Sequence, residues 1–274
     1  TSPNQTFTIT VTAVNDAPVI DAVSNPAAIL EDAGSQTINL AGIEDGDSDD
    51  TQIITVTATS NNTSLIPNPA DTYTSDNATG SLSYTPVSNA NGSAVITVTV
   101  GDNGGTDNSG INSTTTTFTV AVTAVNDEPS FTKGSDITVL EDSGTSTTSN
   151  WATSISRGPS DESSQSVTFT LTNNNNSLFS SQPAISSSGV LTFAPTSNLN
   201  GSATVTVSLS DDGGTANGGD DTSSNQTFTI TVTAVNDEPV ANAQGVTVLE
   251  DIETSITLTG SDGDADDPQI LTYI

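Results

Sequence analysis

The pentapeptide Thr-Ala-Val-Asn-Asp occurs three times in this chain, at residues 12–16, 123–127 and 233–237, and a proline stands two residues after each copy. The final aspartates, at positions 16, 127 and 237, lie 111 and 110 residues apart. This spacing equals the size of one small domain and is typical of a tandem array. We call the pentapeptide the linker phrase. It predicts the C-terminal strand of one repeat at 1–16, complete repeats at 17–127 and 128–237, and the N-terminal part of another repeat at 238–274, so we expect a fragment of a longer array.

Apolar residues around each linker phrase alternate with Thr and Ser over short runs. Phe7, Ile9 and Val11 precede the first phrase, and matching apolar residues precede the other two. Runs with a period of two form strands with one buried face, and Gly and Asn mark the turns between them. About seven such runs per repeat predict an all-β fold of tandem antiparallel β-sandwiches. No stretch has helical periodicity, and Trp151 is expected in the core.

Composition excludes several classes of function. Against 33 acidic residues the chain has only Lys133 and Arg157, and its net charge is −31. Such a chain would repel nucleic acid and anionic membranes, and no apolar run is long enough to predict a membrane span. The absence of His and Cys excludes a Ser-His-Asp site and a zinc site built on imidazole or thiolate. A pair of carboxylates could serve a glycosidase, but a catalytic pair has no reason to recur in every repeat.

The acidic residues are clustered, and the clusters recur with the repeat. The linker phrase supplies Asn-Asp, Leu-Glu-Asp stands at 30–32, 140–142 and 249–251, an Asp-rich run stands at 45–50 and again at 262–267, and single acids follow a core strand at Asp102 and Asp211. In a sandwich these positions fall at the poles, where strands end. Alternating oxygen ligands suit Ca²⁺, which accepts about six to eight of them. The alternative is that these are ordinary Asp and Asn turn residues that keep the surface soluble.

The order of these segments resembles a cadherin repeat. Its opening half is similar to Asn236-Asp237-Glu238-Pro239, Val246-Thr247-Val248-Leu249-Glu250 and the Asp-rich run that follows, and its closing half to the segments after Asp102 and Asp211. The likeness is strongest to the bacterial cadherin-like repeats of giant surface adhesins, many of them calcium-dependent and of the secreted RTX type. It implies an immunoglobulin-like Greek-key sandwich in each repeat, with Ca²⁺ bound at the joints between repeats.

The resemblance also implies which residues hold the ion. At the first joint these are Asn15, Asp16, Asp45, Asp47 and Asp102; at the second, Glu31, Asn126, Asp127 and Asp211; at the third, Glu141, Asn236, Asp237, Asp262 and Asp264. Further acids of the same clusters, Asp49, Asp161 and Asp266, complete the candidate set.

Three departures from the cadherin pattern modify this prediction. Alanine replaces the first Asp of the cadherin linker at Ala13, Ala124 and Ala234, and the cadherin Leu-Asp-Arg-Glu segment is absent, which predicts fewer ions per joint. In the second repeat, Arg157-Gly158-Pro159 stands near where the first has Asp45-Gly46-Asp47. We therefore expect the middle joint to bind Ca²⁺ more weakly, or to be more flexible.

The function predicted first is mechanical: an extracellular extender of a bacterial surface adhesin, stiffened by Ca²⁺, that projects an adhesive region towards a cell-surface or biofilm-matrix target bound by other parts of the protein. Its direct partners would be the neighbouring repeats. The alternative is a carbohydrate- or protein-binding module that uses the Gly-rich loops at 101–116 and 210–224, although few aromatic residues are free for sugar stacking. An enzyme ranks lowest. A salt-adapted surface protein would spread its acids evenly, whereas here they are clustered.

Overall fold

The computed structural model describes residues 3–48, 51–262 and 269–272. The chain forms two compact units, Thr1–Val125 and Asn126–Ile274, and the boundary between them falls within the second linker phrase. Each unit is an all-β sandwich, as the sequence predicts. Throughout the described ranges the only helical segments are three-residue 3₁₀ turns, at Asp107–Ser109, Ser160–Glu162, Asn176–Leu178 and Ala216–Gly218. None of the helical segments described could span a membrane.

The first unit contains two sheets made of seven strands. The strands are β1 (Ile29–Leu30), β2 (Gln36–Ala41), β3 (Thr55–Ser60), β4 (Ala70–Thr72), β5 (Thr79–Tyr84), β6 (Gly92–Gly101) and β7 (Ser113–Thr123). A four-stranded sheet has the order β1-β7-β6-β3, and a three-stranded sheet has the order β2-β5-β4. The predicted loop at 101–116 is too long at its end, because residues from Ser113 onward pair with β6.

The core of the first unit follows the predicted alternation. Along β6 the residues Ile96, Val98 and Val100 are buried, and on β7 Phe118 and Val120 face the same interior. The intervening positions are mostly Thr, whose β-branched side chains suit a strand that is wetted on one face. Burial of these alternate positions fixes the register of both strands.

The second unit repeats the plan with nine strands and adds a short pair. The strands are β8 (Ser130–Thr132), β9 (Ile137–Leu140), β10 (Ser146–Thr148), β11 (Thr153–Ser156), β12 (Thr168–Asn173), β13 (Phe179–Ile185), β14 (Leu191–Pro195), β15 (Gly201–Ser210) and β16 (Gln226–Thr233), followed by β17 (Val240–Ala241) and β18 (Gly260–Ser261). The sheet orders are β12-β15-β16-β9, β10-β14-β13, β11-β8 and β17-β18.

Trp151 lies in the core of the second unit, as predicted. Its exposed fraction is 3%, and its ring centroid is 4.2 Å from that of Phe228 on β16. The indole Nε1 donates a hydrogen bond to the carbonyl of Ser135 at 3.0 Å. A buried tryptophan needs such an acceptor, so this side chain is a structural residue of the core.

One strand pair in each unit is parallel, which the sequence analysis did not predict. The short strand β1 runs parallel to β7, and β9 runs parallel to β16. Each pair brings the start of a repeat beside its end. The Leu-Glu-Asp segment, which follows directly after β1 and β9, therefore lies next to the linker phrase that closes the same repeat.

The segments that flank the complete repeats expose apolar side chains. Phe7, Ile9 and Val11 are 85%, 75% and 89% exposed, and residues 3–16 form no strand within the described part of the chain. Residues 238–262 form only the short pair of β17 and β18. The assignment of 1–16 and 238–274 to neighbouring repeats stays a prediction.

Candidate cation site at the poles of the repeats

In the first unit, Asn15 of the linker phrase is clamped to the loop that follows β6. Its carbonyl accepts a hydrogen bond from the Ile111 amide at 3.0 Å, and its Nδ2 donates to the Ile111 carbonyl at 2.7 Å. The same Nδ2 donates to Asp102 Oδ1 at 3.0 Å. Hydrogen bonds therefore fix this part of the Gly-rich loop, and the loop positions Asn15 against Asp102 at one pole of the sandwich.

Gln52 connects Asn15 to the Asp-rich run. Only 5% of this side chain is exposed. Its Nε2 donates to Asn15 Oδ1 at 2.5 Å and to Asp47 Oδ2 at 2.9 Å. The Asp45 carboxylate holds the Asp-rich run in place, because it accepts hydrogen bonds from the backbone amides of Asp47 and Gln52 at 3.3 and 3.2 Å. Hydrogen bonds thus connect three carboxylates at this pole through the buried residue Gln52 and the partly buried side chain of Asn15.

The second unit repeats this arrangement at its own pole. Asn126 Nδ2 donates to Asp211 Oδ1 at 3.1 Å and to the carbonyl of Asp220 at 2.8 Å. The Asp220 amide donates to the Asn126 carbonyl at 2.9 Å. Gln165 Nε2 donates to Asn126 Oδ1 at 2.7 Å. The same Asn–Gln–Asp geometry is therefore built twice from residues more than a hundred positions apart.

Glu162 supplies a carboxylate at the second pole, where the Asp-x-Asp pair is missing. The side chain is 6% exposed, and its Oε1 accepts a hydrogen bond from the Asp127 amide at 2.7 Å. Burial raises the pKa of Glu162, and the charges of Asp127, Asp161 and Asp211 raise it further, against the opposing effect of the hydrogen bond from Asp127. Asp161, the predicted ligand, is exposed, and its role stays a prediction.

The Leu-Glu-Asp segments lie at the opposite pole of each repeat, where they contact the linker phrase that closes it. Glu31 and Glu141 are 4% and 1% exposed. Their Oε1 atoms accept hydrogen bonds from the amides of Val125 and Val235, two residues before the end of the linker phrase, at 2.6 and 2.7 Å. In the second unit, Asn198 Nδ2 also donates to Asp237 Oδ2 at 2.7 Å.

The third linker phrase begins a further copy of the cluster. Gln269 Nε2 donates to Asn236 Oδ1, and the Gln269 amide donates to Asp262 Oδ2. The candidate ligands Asp49, Asp264 and Asp266 lie outside the described residues. Asp16 is exposed, and its role stays a prediction.

The sequence analysis missed the glutamines. Gln52 follows Asp45 by seven residues, and Gln269 follows Asp262 by the same interval. Gln165 stands three residues before the core strand β12, as Gln52 stands three residues before β3. A glutamine that recurs at the corresponding position of each copy was the signal that could have identified them.

Buried oxygens without a hydrogen bond indicate whether the side chains at the poles suit Ca²⁺. Within residues 3–48, 51–262 and 269–272, no three acidic side chains are grouped closely enough to hold a metal ion by themselves. Several buried oxygens nevertheless accept no hydrogen bond from any described residue, and they recur in both units: Asp102 Oδ2, Gln52 Oε1, Asp211 Oδ2, Gln165 Oε1 and Glu162 Oε2. Buried acceptors normally have a partner, and hard oxygen ligands from carboxylate and amide groups suit Ca²⁺. The residues therefore fit the ion.

Comparisons with known proteins identify the fold. No model of a known protein family matches the chain, and no curated protein matches it. Among solved structures, protocadherin gamma B2 extracellular cadherin domains 1–5 match at 15% identity with a TM-score of 0.50, over 83% of this chain and 42% of that one. Mouse cadherin-23 EC22–24 matches at 18% identity with a TM-score of 0.43, over 81% of this chain and 66% of that one. The protocadherin gamma B4 extracellular domain matches at 18% identity with a TM-score of 0.46, over 92% and 41%.

The chain spans less than half the length of the protocadherin gamma B2 structure that it matches. At such identities the likeness concerns the fold and not the partners or the activity. The repeats of this chain have the fold of cadherin extracellular domains.

Proposed function

We propose that these repeats are an extracellular extender segment of a bacterial surface adhesin, in which Ca²⁺ at the poles of the repeats stiffens the chain. The segment would hold an adhesive region, outside these residues, away from the cell and towards a surface or biofilm-matrix target. The cadherin-like fold, the tandem repetition and the net charge of −31 support this proposal.

One observation carries the proposal: buried oxygens without hydrogen-bond donors recur at the same place in both units. Asp102 Oδ2 and Asp211 Oδ2 are buried and have no donor among the residues described. Burying a carboxylate oxygen without a hydrogen bond costs free energy. An ordinary surface turn gives no reason for the same unfavourable arrangement to occur in both units. A cation bound there would compensate for it.

We expect the ion to be held by side chains at the same pole of each unit. In the first unit these are Asn15, Asp45, Asp47 and Asp102, and in the second they are Asn126, Glu162 and Asp211. Ca²⁺ would supply positive charge and six to eight coordination positions. At a concentration about a hundredfold above its Kd, it would stabilise the bound state by about 2.7 kcal/mol.

The stiffening follows from where the ligands lie. In the second unit the third linker phrase contacts the preceding repeat through Val235 and Asp237, which pair with Glu141 and Asn198. Its Asn236 contacts the following segment through Gln269. A cation that binds this phrase would restrict the few residues that connect one repeat to the next.

Small-angle X-ray scattering with Ca²⁺ and with a chelator tests the proposal, and a melting curve is measured in each condition. We expect Ca²⁺ to lengthen the particle and to raise its melting temperature. Mg²⁺ at the same ionic strength should have a smaller effect on both quantities, because it demands a smaller octahedral site. Equal dimensions and equal melting temperatures with and without Ca²⁺ would refute the extender function, and the Gly-rich loops would then be tested for ligands.

A further inference from the structure

The glutamines at the poles make contacts that neither core packing nor cation binding alone explains. Gln52 is almost fully buried, yet its amide is directed at Asn15 and Asp47 and not into the apolar core. Gln165 and Gln269 direct their amides at Asn126 and Asn236 in the same way. The contact between the two amide side chains is therefore the part of the cluster that is present in all three copies.

The hydrogen-bond partners determine which end of the Gln52 amide faces the cluster. Asn15 Nδ2 already donates to two acceptors, Asp102 Oδ1 and the Ile111 carbonyl, so Asn15 presents its Oδ1 to Gln52. The Asp47 carboxylate is also an acceptor. Gln52 must therefore present its NH₂ group, and its Oε1 is left buried without a donor in the described part of the chain.

An amide NH₂ group and a metal ion compete for an oxygen atom when both approach the same lone pair. Gln52 Nε2 donates to Asn15 Oδ1 and Asp47 Oδ2, both of which belong to the donor set for the cation. Free space for an alternative arrangement is limited, because a Cβ at Gly104 would lie 1.9 Å from Asn15 Oδ1 and 2.6 Å from Gln52 Nε2. At Gly213 of the second unit, the distances to Asn126 Oδ1 and Gln165 Nε2 would be 1.7 and 2.5 Å.

We propose that Gln52 and Gln165 act as internal substitutes for the cation. Without metal, Gln52 holds Asn15 Oδ1 beside Asp47 Oδ2, and Gln165 holds Asn126 Oδ1. When Ca²⁺ enters, the glutamine releases those oxygens. The glutamines would therefore keep each pole assembled in the absence of metal and lower the affinity for Ca²⁺. This inference rests on the proposed function, since it concerns the same site.

The test compares Gln52→Leu with the wild type in the full chain, using Ca²⁺ alone as the probe. Leucine keeps the bulk of the side chain but removes both hydrogen bonds. We expect the melting temperature of the first unit to fall in chelator, and the affinity for Ca²⁺ measured by calorimetric titration to rise on the order of tenfold, because bonds that exist only without metal no longer compete. The matched control is Gln36→Leu, since among the described residues the Gln36 side chain donates only to the carbonyl of Gly34. It should leave the affinity unchanged.

The outcomes separate this inference from the proposed function. If the wild type binds Ca²⁺ but Gln52→Leu binds it equally well or more weakly, the glutamine is a spectator or a ligand, and the inference is overturned while the extender function stands. If the wild type does not bind Ca²⁺, both fail.

A measurement on the wild type keeps the inference testable should Gln52→Leu not fold. The side-chain amide signals of Gln52 and Gln165, followed by NMR, should show slow hydrogen exchange in chelator and lose that protection when Ca²⁺ is added. Protection that persists at saturating Ca²⁺ would overturn the inference. Gln165→Leu provides the same affinity test in the second unit.

Discussion

Asp102 and Asp211 use the two oxygens of one carboxylate differently. Each uses Oδ1 to accept hydrogen bonds from an asparagine and from a glycine amide two residues later, at 3.0 Å to Gly104 and 2.9 Å to Gly213. Each keeps Oδ2 buried, with no donor among the described residues. One oxygen positions the loop, and the other is available for a cation.

Replacing Asp102 with Asn separates these two roles. The amide Oδ1 can accept both existing hydrogen bonds, so we expect little change in the melting temperature in chelator. The affinity of the first unit for Ca²⁺ should fall by about tenfold or more, because the ion loses a charged ligand. Isothermal titration measures the change. Asp71→Asn, the same substitution at an exposed position of β4, is the control, and an equal loss of affinity in that variant would point to net charge instead of ligation.

Glu162 predicts a pH dependence for the second unit in chelator. Its pKa is raised, chiefly by burial, so the folded state binds the proton more tightly than the unfolded state does. Stability is then highest when the group is protonated, and it falls as the pH rises from the unfolded pKa, about 4.3, through the raised folded value. We expect the second unit to melt at a higher temperature at about pH 5 than at about pH 7.

The substitution Glu162→Gln isolates this contribution from that of the many other acids. The neutral variant should be more stable than the wild type near pH 7 in chelator and should show a weaker pH dependence, as measured by melting curves across that range. Glu250→Gln, at an exposed position, changes the net charge equally and should not alter the slope. A slope in Glu162→Gln as steep as that of the wild type would show that Glu162 does not control it.

At the scale of elements, the two poles differ in the turn that precedes the glutamine, Gln52 in the first unit and Gln165 in the second. Asp45 accepts a hydrogen bond from the backbone amide of Gln52, whereas Arg157 uses its guanidinium Nε to donate to the carbonyl of Gln165. The glycine that follows lies against the linker in both units: a Cβ at Gly46 would lie 2.0 Å from the Ala17 carbonyl oxygen, and one at Gly158 3.5 Å from that of Asp127. The turns are therefore equivalent in position and opposite in charge.

The substitution Arg157→Asp should convert the second pole towards the first. We expect the affinity of the second unit for Ca²⁺ to rise by about tenfold, since affinity follows the charge of the ligands. In chelator its melting temperature should fall, because a further negative charge joins Glu162 and Asp127. Calorimetric titration and melting curves measure both effects. Lys133→Asp makes the same change in net charge at an exposed position after β8, and the same gain in affinity there would contradict a local effect.

The strands could be predicted from the sequence because their signal is local. The alternation of Ile96, Val98 and Val100 with polar residues predicts which face of the strand is buried. The parallel pairing of β1 with β7 could not be predicted, because a two-residue strand has no periodicity of its own. Gln52 was missed, and Asp161 was chosen over Glu162, for a different reason: the contacts of Gln52 and Glu162 reach 35 or more residues along the chain, and an amide or an isolated Glu is common on any surface.

At the scale of the whole molecule, each unit has a core of its own. The buried cluster of the first unit includes Phe118 and Leu82, that of the second includes Phe228 and Trp151, and no residue belongs to both clusters. Local packing should therefore determine how each unit unfolds, whereas the linker phrases should determine how the repeats respond to Ca²⁺. Substitutions in the cores and at the poles should accordingly produce different kinds of change.

Phe118→Ala and Phe228→Ala test the independence of the two cores. Each phenylalanine is about 98–99% buried, and its truncation should cost about 3–5 kcal/mol through lost transfer free energy and a residual cavity. In chelator, scanning calorimetry of the full chain should resolve a transition that each variant shifts to lower temperature, while the transition of the other unit stays in place. The two variants control for each other, because they make the same chemical change in different cores. If either substitution lowers both transitions equally, the repeats unfold as one cooperative body even without metal, and Ca²⁺ would not be needed to couple them.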